Sequence, residues 1–367
     1  LRYKLPVNKD TMLAAVIGGA FFDSGEGGRI SYGKAIGELA IELGQPKIID
    51  LEALPDHATL LEVCVLGAPS SKDNYLKPVY HIDAAKKFIQ QSGKKIDALI
   101  TSANGGYATI NGWLQSVVLD IPVVDAVCAI RKNRAILQGP VWGNGYEDDF
   151  VSMQMGVGGN PLTDNYMEVF VQGSLQKTDS LIQQANVLSG GGLSLTRNPV
   201  SGAYAKKYAI RNALSTAIAL GKIVLAQAGD VPSIIDSIVS YLGGEVITYS
   251  AISKFIISSS GGFDNGFILV GSGNKDNNYT INYHEHNISL EKNGTIIATF
   301  PDLILTLSME TGMPIHHSQL KEDNNVCVMV IRKEKLAERL GIREFFPSPQ
   351  PADKIKTAKT RNRKQNG

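Results

Sequence analysis

Two apolar runs constrain this chain more than any other feature. "KIDALITS" (95–102) and "IPVVDAVCAI" (121–130) flank a polar, glycine-bearing segment, "SANGGYATINGWLQS" (102–116), that ends in a helical pattern. Two buried strands joined through a helix read as a parallel pair with a right-handed crossover. The same alternation runs through roughly the first 230 residues. "TMLAAVIGGAFF" is expected to be a helix with Asp10 as its N-cap, and "SYGKAIGELAIELG" (31–44) a second helix stopped by Gly44. "KIIDL" (47–51) and "LLEVCVLGAP" (60–69) read as strands, and "AAKKFIQQSG" (84–93) as a helix. Further on come "YMEVFVQG", a helix over 174–188, a strand "LSLTR", one helix of about 25 residues from Gly202, and "VPSIIDSIVSYLGG" (231–244).

Beyond the diglycine Gly243-Gly244 the texture changes to short strands, with a hairpin signal at Asn293-Gly294. The expectation is therefore α/β: an N-terminal α/β domain (1–243) with a parallel or mixed sheet, carrying the glycine-bearing loops. A smaller β-rich domain, sandwich or barrel, would follow over 244–350, and a disordered basic tail over 351–367.

Composition excludes several classes. Lys and Arg number 36 against 35 Asp and Glu, so a net charge of +1 gives no case for nucleic acid or an anionic membrane. The six basic residues from Lys354 onward read as a solvated end. No stretch reaches the ~18 apolar residues of a membrane span. "MLAAVIGGAFF" (12–22) is too short and lacks a basic leader, so no signal peptide is expected. Cys64, Cys128 and Cys327 sit far apart among apolar residues and read as core side chains of a cytoplasmic protein. Cys128 alone lies near other candidate site residues, which leaves a nucleophile as its alternative reading. The apolar helix pattern "YAIRNALSTAIALGKIVLAQ" (208–227) fits a homodimer face and a buried core equally well.

Three polar loops could carry chemistry: "DSGEGG" (23–28), "SANGGYATINGW" (102–113) and "NRAILQGPVWGNGYEDD" (133–149). Ligands of open parallel sheets gather beyond the carboxyl ends of strands, where glycines let backbone N–H groups approach an anion. "DSGEGG" is neither GxGxxG nor a P-loop, and it reads as a helix-breaking turn or a ligand loop built on Gly25, Gly27 and Gly28. Ser102, Asn104, Gly105 and Asn111 could bind a polar small molecule. Alternatively, Asn104-Gly105 makes a turn and Asn111 caps the following helix. Asp125 ends a strand, which suits a site base or a local cap. His284 and His286 of "HEH" would share one face of a strand, and His316 or His317 could complete a divalent-metal site. Neither HExxH nor GxSxG occurs.

Taken in order, "IGGAFFDSGEGG", "LGAPSSKDNYLKP", "NGGYATINGWLQS" with "IPVVDA", "GGLSLTRNPVSGAY", "GGFDNG" and "ATFPDLILTLSMETGMPI" resemble the S-methyl-thiohydantoin desulfurase-like family, a hydantoinase-associated group. The resemblance covers nearly the whole chain. It implies an α/β domain joined to a β-rich domain, with a site at the glycine-bearing loops and a small-molecule substrate. The activity implied is hydrolytic removal of a sulfur substituent from a cyclic ureide of the hydantoin type. The chain departs from the family pattern where Ala103 stands in place of Glu, Asn133 in place of His, and Asp23 and Glu26 in place of Gly. Two readings follow. Asp23, Glu26 and Asp125 serve as the acid–base groups of an enzyme, or the chain is an accessory or binding subunit that keeps the pocket without the reaction.

Overall fold

The computed structural model describes residues 3–26, 28–67, 74–130, 150–260, 263–271 and 278–342. Gly27, the candidate loop 133–149 with Asn133, and the basic tail 351–367 lie outside the described residues.

Strand β1 (Tyr3–Leu5) leads into α1 (Lys9–Phe22). Asn8, not Asp10, caps that helix, its side chain accepting the Thr11 N–H at 2.8 Å. Asp10 sits in the first turn, where its charge still favours the helix N-terminus. Then come α2 (Ile30–Leu43), β2 (Ile48–Ile49), β3 (Thr59–Gly67) and α3 (Pro78–Ser92), the last opened by a proline and stopped by Gly93 at φ 63°. The two runs that frame the sequence become β4 (Ala98–Thr101) and β5 (Val123–Val127), with α4 (Trp113–Leu119) between them.

The next elements are β6 (Ser152–Gly158), β7 (Met167–Gly173), α5 (Leu175–Leu188) and β8 (Gly192–Ser201). The single long helix expected from Gly202 is two: α6 (Gly202–Tyr208) and α7 (Ala213–Ala226). Between them β9 (Ile210–Arg211) pairs with Ala126 and Val127 at the end of β5, and Asn212 turns the chain at φ 57°. Local helix propensity yields there to a sheet pairing. Helix α8 (Val231–Leu242) ends at Gly243.

The second half is β10 (Gly244–Ser260), β11 (Phe263–Val270), β12 (Tyr279–His284), β13 (His286–Lys292), β14 (Thr295–Thr299), β15 (Leu303–Ser308), β16 (Asn325–Ile331) and α9 (Lys333–Leu340).

Among the described residues the first sheet runs β1-β2-β5-β4-β3-β8-β6-β7. It is mixed: β2, β5, β4 and β3 are parallel, and β8, β6 and β7 add on antiparallel. The second sheet, β14-β13-β12-β11-β10-β16-β15, is antiparallel throughout and curls. The protein is thus α/β with a β-rich second half, as the sequence leads one to expect.

The two halves share a core. Leu303, Leu305, Leu307, Cys327, Met329 and Ile331 join α1, α7 and α8 in one cluster, while Ile304, Val326, Val328 and Val330 fill the opposite face of the second sheet. That split follows the two-residue alternation of a strand buried on both faces. Helix α1 is apolar nearly all round because it is buried nearly all round. Its approach to α7 is close enough that a Cβ on Gly18 would lie 1.8 Å from the Ala217 carbonyl oxygen, and one on Gly221 1.8 Å from that of Ala14. Cys64, Cys128 and Cys327 are buried thiols within these cores.

Candidate functional site

Two loops build the site, and one of them crosses between the halves. After Phe22 the chain turns through Ser24 (φ 62°) and Gly25 (φ 85°), with the Gly25 N–H closing on the Ala20 carbonyl at 2.8 Å. The turn lets Ser24 Oγ donate to the Ile304 carbonyl on the second sheet at 2.5 Å. Glu26 then accepts the backbone N–H of His317 on Oε1 at 3.0 Å. The second loop, 102–112, packs its backbone against the first: a Cβ on Gly106 would lie 2.5 Å from the Gly28 carbonyl oxygen. Gly105 donates its N–H to Thr109 Oγ1 at 3.0 Å and accepts the Thr109 N–H, so its polar groups are engaged inside the loop.

Between these loops and the second sheet lies a cavity of about 670 Å³. One wall is polar and largely uncharged, with Ser102, Asn104, Tyr107, Asn111, Tyr32 and Asn74. Behind it, the buried His81 contacts Tyr32 Oη at 2.9 Å, Tyr107 Oη at 3.2 Å and Ser194 Oγ at 3.0 Å, which fixes the two tyrosines. The other end carries Asp23, Glu26, Asp264, His286, His316 and His317.

That charged end is tightly coupled. His317 Nδ1 lies 2.6 Å from Glu26 Oε2 and 2.8 Å from the Tyr283 hydroxyl, and its Nε2 lies 2.9 Å from Asp264 Oδ2. Burial disfavours the imidazolium, but the two carboxylates overcome it and raise the His317 pKa to about 9. Burial likewise works against the Glu26 carboxylate, and the neighbouring His316 and His317 hold it below the ordinary carboxylate range. His316 is pushed down by its own burial, so His317 is the imidazole that carries charge near neutral pH. Burial, then Glu26, pushes the Tyr283 phenol far up, which keeps it a hydrogen-bond donor. One imidazolium between two acids, beside a neutral imidazole and a phenol, can donate and accept protons.

The chain matches both halves of one family: "S-Me-THD-like, N-terminal domain" over residues 12–131 and "S-Me-THD-like, C-terminal domain" over residues 173–343. It belongs to the S-Me-THD-like family. No curated protein matches it. A crystal structure of a protein from Chromobacterium violaceum is similar in fold, with a TM-score of 0.68 at 16% identity, covering 89% of this chain and 91% of that one.

Within this S-Me-THD-like chain the sequence-derived candidates divide. Asp23, Glu26, Gly28, Ser102, Asn104 and Asn111 all line the cavity, and Gly25 lines a smaller neighbouring one of about 470 Å³. Asn104 also donates to the Ala213 carbonyl at 3.0 Å, tying the wall to α7. Asn111 does not cap α4; Gly112 occupies the cap at φ 96°, and Asn111 Oδ1 accepts from Tyr107 at 3.3 Å. Asp125 lies away from the cavity. Its Oδ1 accepts the N–H groups of Leu214 and Ser215 at 2.9 and 3.0 Å, and its Oδ2 the Ser215 hydroxyl at 2.6 Å, so it caps α7 across the chain.

His284 and His286 do not share a strand. Glu285 at φ 59° makes a tight turn, placing them opposite each other at the ends of β12 and β13. His284 turns to Asn265, whereas His286 lines the cavity. Asp264 and Tyr283 escaped the sequence reading; the signal for Asp264 was its place in the family segment "GGFDNG".

Proposed function

We propose that the cavity binds a small cyclic ureide of the hydantoin type, or its S-methyl derivative, and hydrolyses it. The observation that carries this reading is the Glu26–His317–Asp264 cluster at one end of a cavity whose other wall offers amide and hydroxyl groups. A flat ring rich in N–H and C=O groups suits that wall. In the S-methyl case, water attacks the ring carbon bearing sulfur and a C–O bond forms. The C–S bond then breaks, and methanethiol leaves with the proton given up by the water. The charged end takes the proton from water and returns it to the leaving sulfur. Asp23 belongs to the same end. In this reading residues 1–243 supply the ring-reading wall and residues 244–350 supply the histidines.

The test is incubation of the purified chain with S-methyl-thiohydantoins and plain hydantoins, following thiol release with a thiol-reactive dye and ring opening by mass spectrometry. Turnover that disappears in His317→Gln supports the reading. No turnover of either class by a folded chain, beside an active family member, overturns it.

One observation favours a second reading, a binding subunit without the reaction. Ala103 stands on the cavity wall, buried, where the family pattern carries Glu. That reading expects thermal stabilisation by a hydantoin without turnover, and a gain of thiol release in Ala103→Glu. Turnover by the unmodified chain removes it.

A further inference from the structure

We propose that Glu26, His316 and His317 form a binding site for one divalent metal ion of the zinc class. Each residue offers a donor atom, and the three donors lie within 4.8 Å of one another. Both imidazoles converge on a single carboxylate oxygen: Glu26 Oε2 is 2.6 Å from His317 Nδ1 and 3.5 Å from His316 Nε2. An ion pair accounts for the first contact. It leaves the second without a purpose, because His316 Nε2 is buried and makes no hydrogen bond among the described residues. A cation between the three donors accounts for both.

The surroundings are those of metal ligands. His317 presents Nδ1 to the centre while Nε2 faces Asp264 at 2.9 Å, the carboxylate–histidine arrangement that orients a ligating ring and raises its basicity. His316 presents Nε2 while Nδ1 lies 2.8 Å from Ser318 Oγ. Two histidines and one glutamate make a three-ligand set, and the set opens on the large cavity rather than on packed core. Three protein ligands with an open side are the pattern of a site that holds a water or a substrate atom. Histidine and carboxylate donors suit zinc and its transition-metal neighbours better than calcium or magnesium. The site is separate from the pairing expected between His284 and His286, because His284 turns away to Asn265.

The inference does not depend on the reaction proposed above, since metal content is measured without substrate. The tag-free full chain is stripped with a chelator and titrated with Zn²⁺ by calorimetry, then with Co²⁺ by visible absorption. One equivalent of each per chain is expected, with Co²⁺ giving the intense visible bands of a low-coordinate site. Asp264→Asn should keep the stoichiometry and weaken binding about 10–100-fold. Glu26→Gln and His316→Ala should weaken it further, with circular dichroism verifying the fold of each. A folded wild-type chain that takes up neither ion stoichiometrically overturns the proposal, as does uptake unchanged in Glu26→Gln and His316→Ala. Should those two variants fail to fold, the wild-type Co²⁺ spectrum and the Asp264→Asn shift decide.

Discussion

Acid should weaken this fold through a residue that touches no ligand. His81 is fully buried on α3, with Nε2 at 2.9 Å from Tyr32 Oη and 3.2 Å from Tyr107 Oη, and Nδ1 at 3.0 Å from Ser194 Oγ. None of those partners is charged, so burial alone drives its pKa from 6.5 to about 3. Between those two values the unfolded chain binds a proton that the folded chain refuses, so stability falls as pH drops and recovers as pH rises. Going from pH 7 to pH 4.5, this one imidazole removes about 2.5 kcal/mol. Other groups also titrate there, so the measurement is a difference. Urea unfolding of wild type and His81→Gln at both pH values should show an acid loss smaller in the variant by about that amount. An NMR titration of the wild-type ring supplies a reading that needs no variant. Equal acid losses in the two proteins, or a His81 midpoint near 6, would refute the reasoning. The outcome bears on the cavity too, because Tyr32 and Tyr107 line it and His81 fixes them.

Other perturbations have equally definite outcomes. Glu62→Gln breaks a buried bidentate pair with Arg197 (both contacts 2.9 Å) and should cost about 3 kcal/mol in urea unfolding, the low end for such pairs because Asp179 stays 3.5 Å from Arg197. Gly18→Val forces α1 off α7, since even a Cβ there meets the Ala217 carbonyl at 1.8 Å; a loss of about 3 kcal/mol or more should appear as a lower melting temperature. Asp125→Ala should destabilise by about 1–3 kcal/mol for the unmet N–H groups of α7, while turnover per folded molecule stays unchanged. A fall in turnover with stability intact would instead return Asp125 to the chemistry.

How far such outcomes could be read in advance varies along the chain. Where burial and period agree, the residues announce their element. "DALIT" and "PVVDAV" are short apolar runs bounded by polar or turn residues, which suits inner strands, and β4 and β5 pair in parallel. The failures come where a distant partner decides. "YAKKYAIRNALSTAIALG" has unbroken helical character, yet Ile210 pairs with the end of β5, beyond the short β2, and the helix splits there. "HEH" alternates like a strand, but Glu285 adopts a left-handed conformation and the hairpin turns between the histidines. Neither event leaves a local mark, because the energy that decides it comes from residues more than 80 positions away in one case and from a two-strand register in the other.

The site poses the same difficulty in sharper form. Glu26 and His317 are 291 residues apart, and neither neighbourhood alone indicates the other. What the sequence does contain is the means of their meeting. Ser24 and Gly25 turn the chain off the end of α1, and Ser24 reaches Ile304 on the second sheet. The shared core then fixes the distance, because Leu305 and Leu307 pack in the same cluster as Phe21 and Phe22. A carboxylate and an imidazolium buried together need each other, since either alone would bear the full cost of desolvation. The charge pairing at the site therefore adds to the shared core in holding the two halves together. Removing Glu26 should loosen the contact between the halves, and hydrogen exchange at β15 and at residues 315–320 would register that loosening.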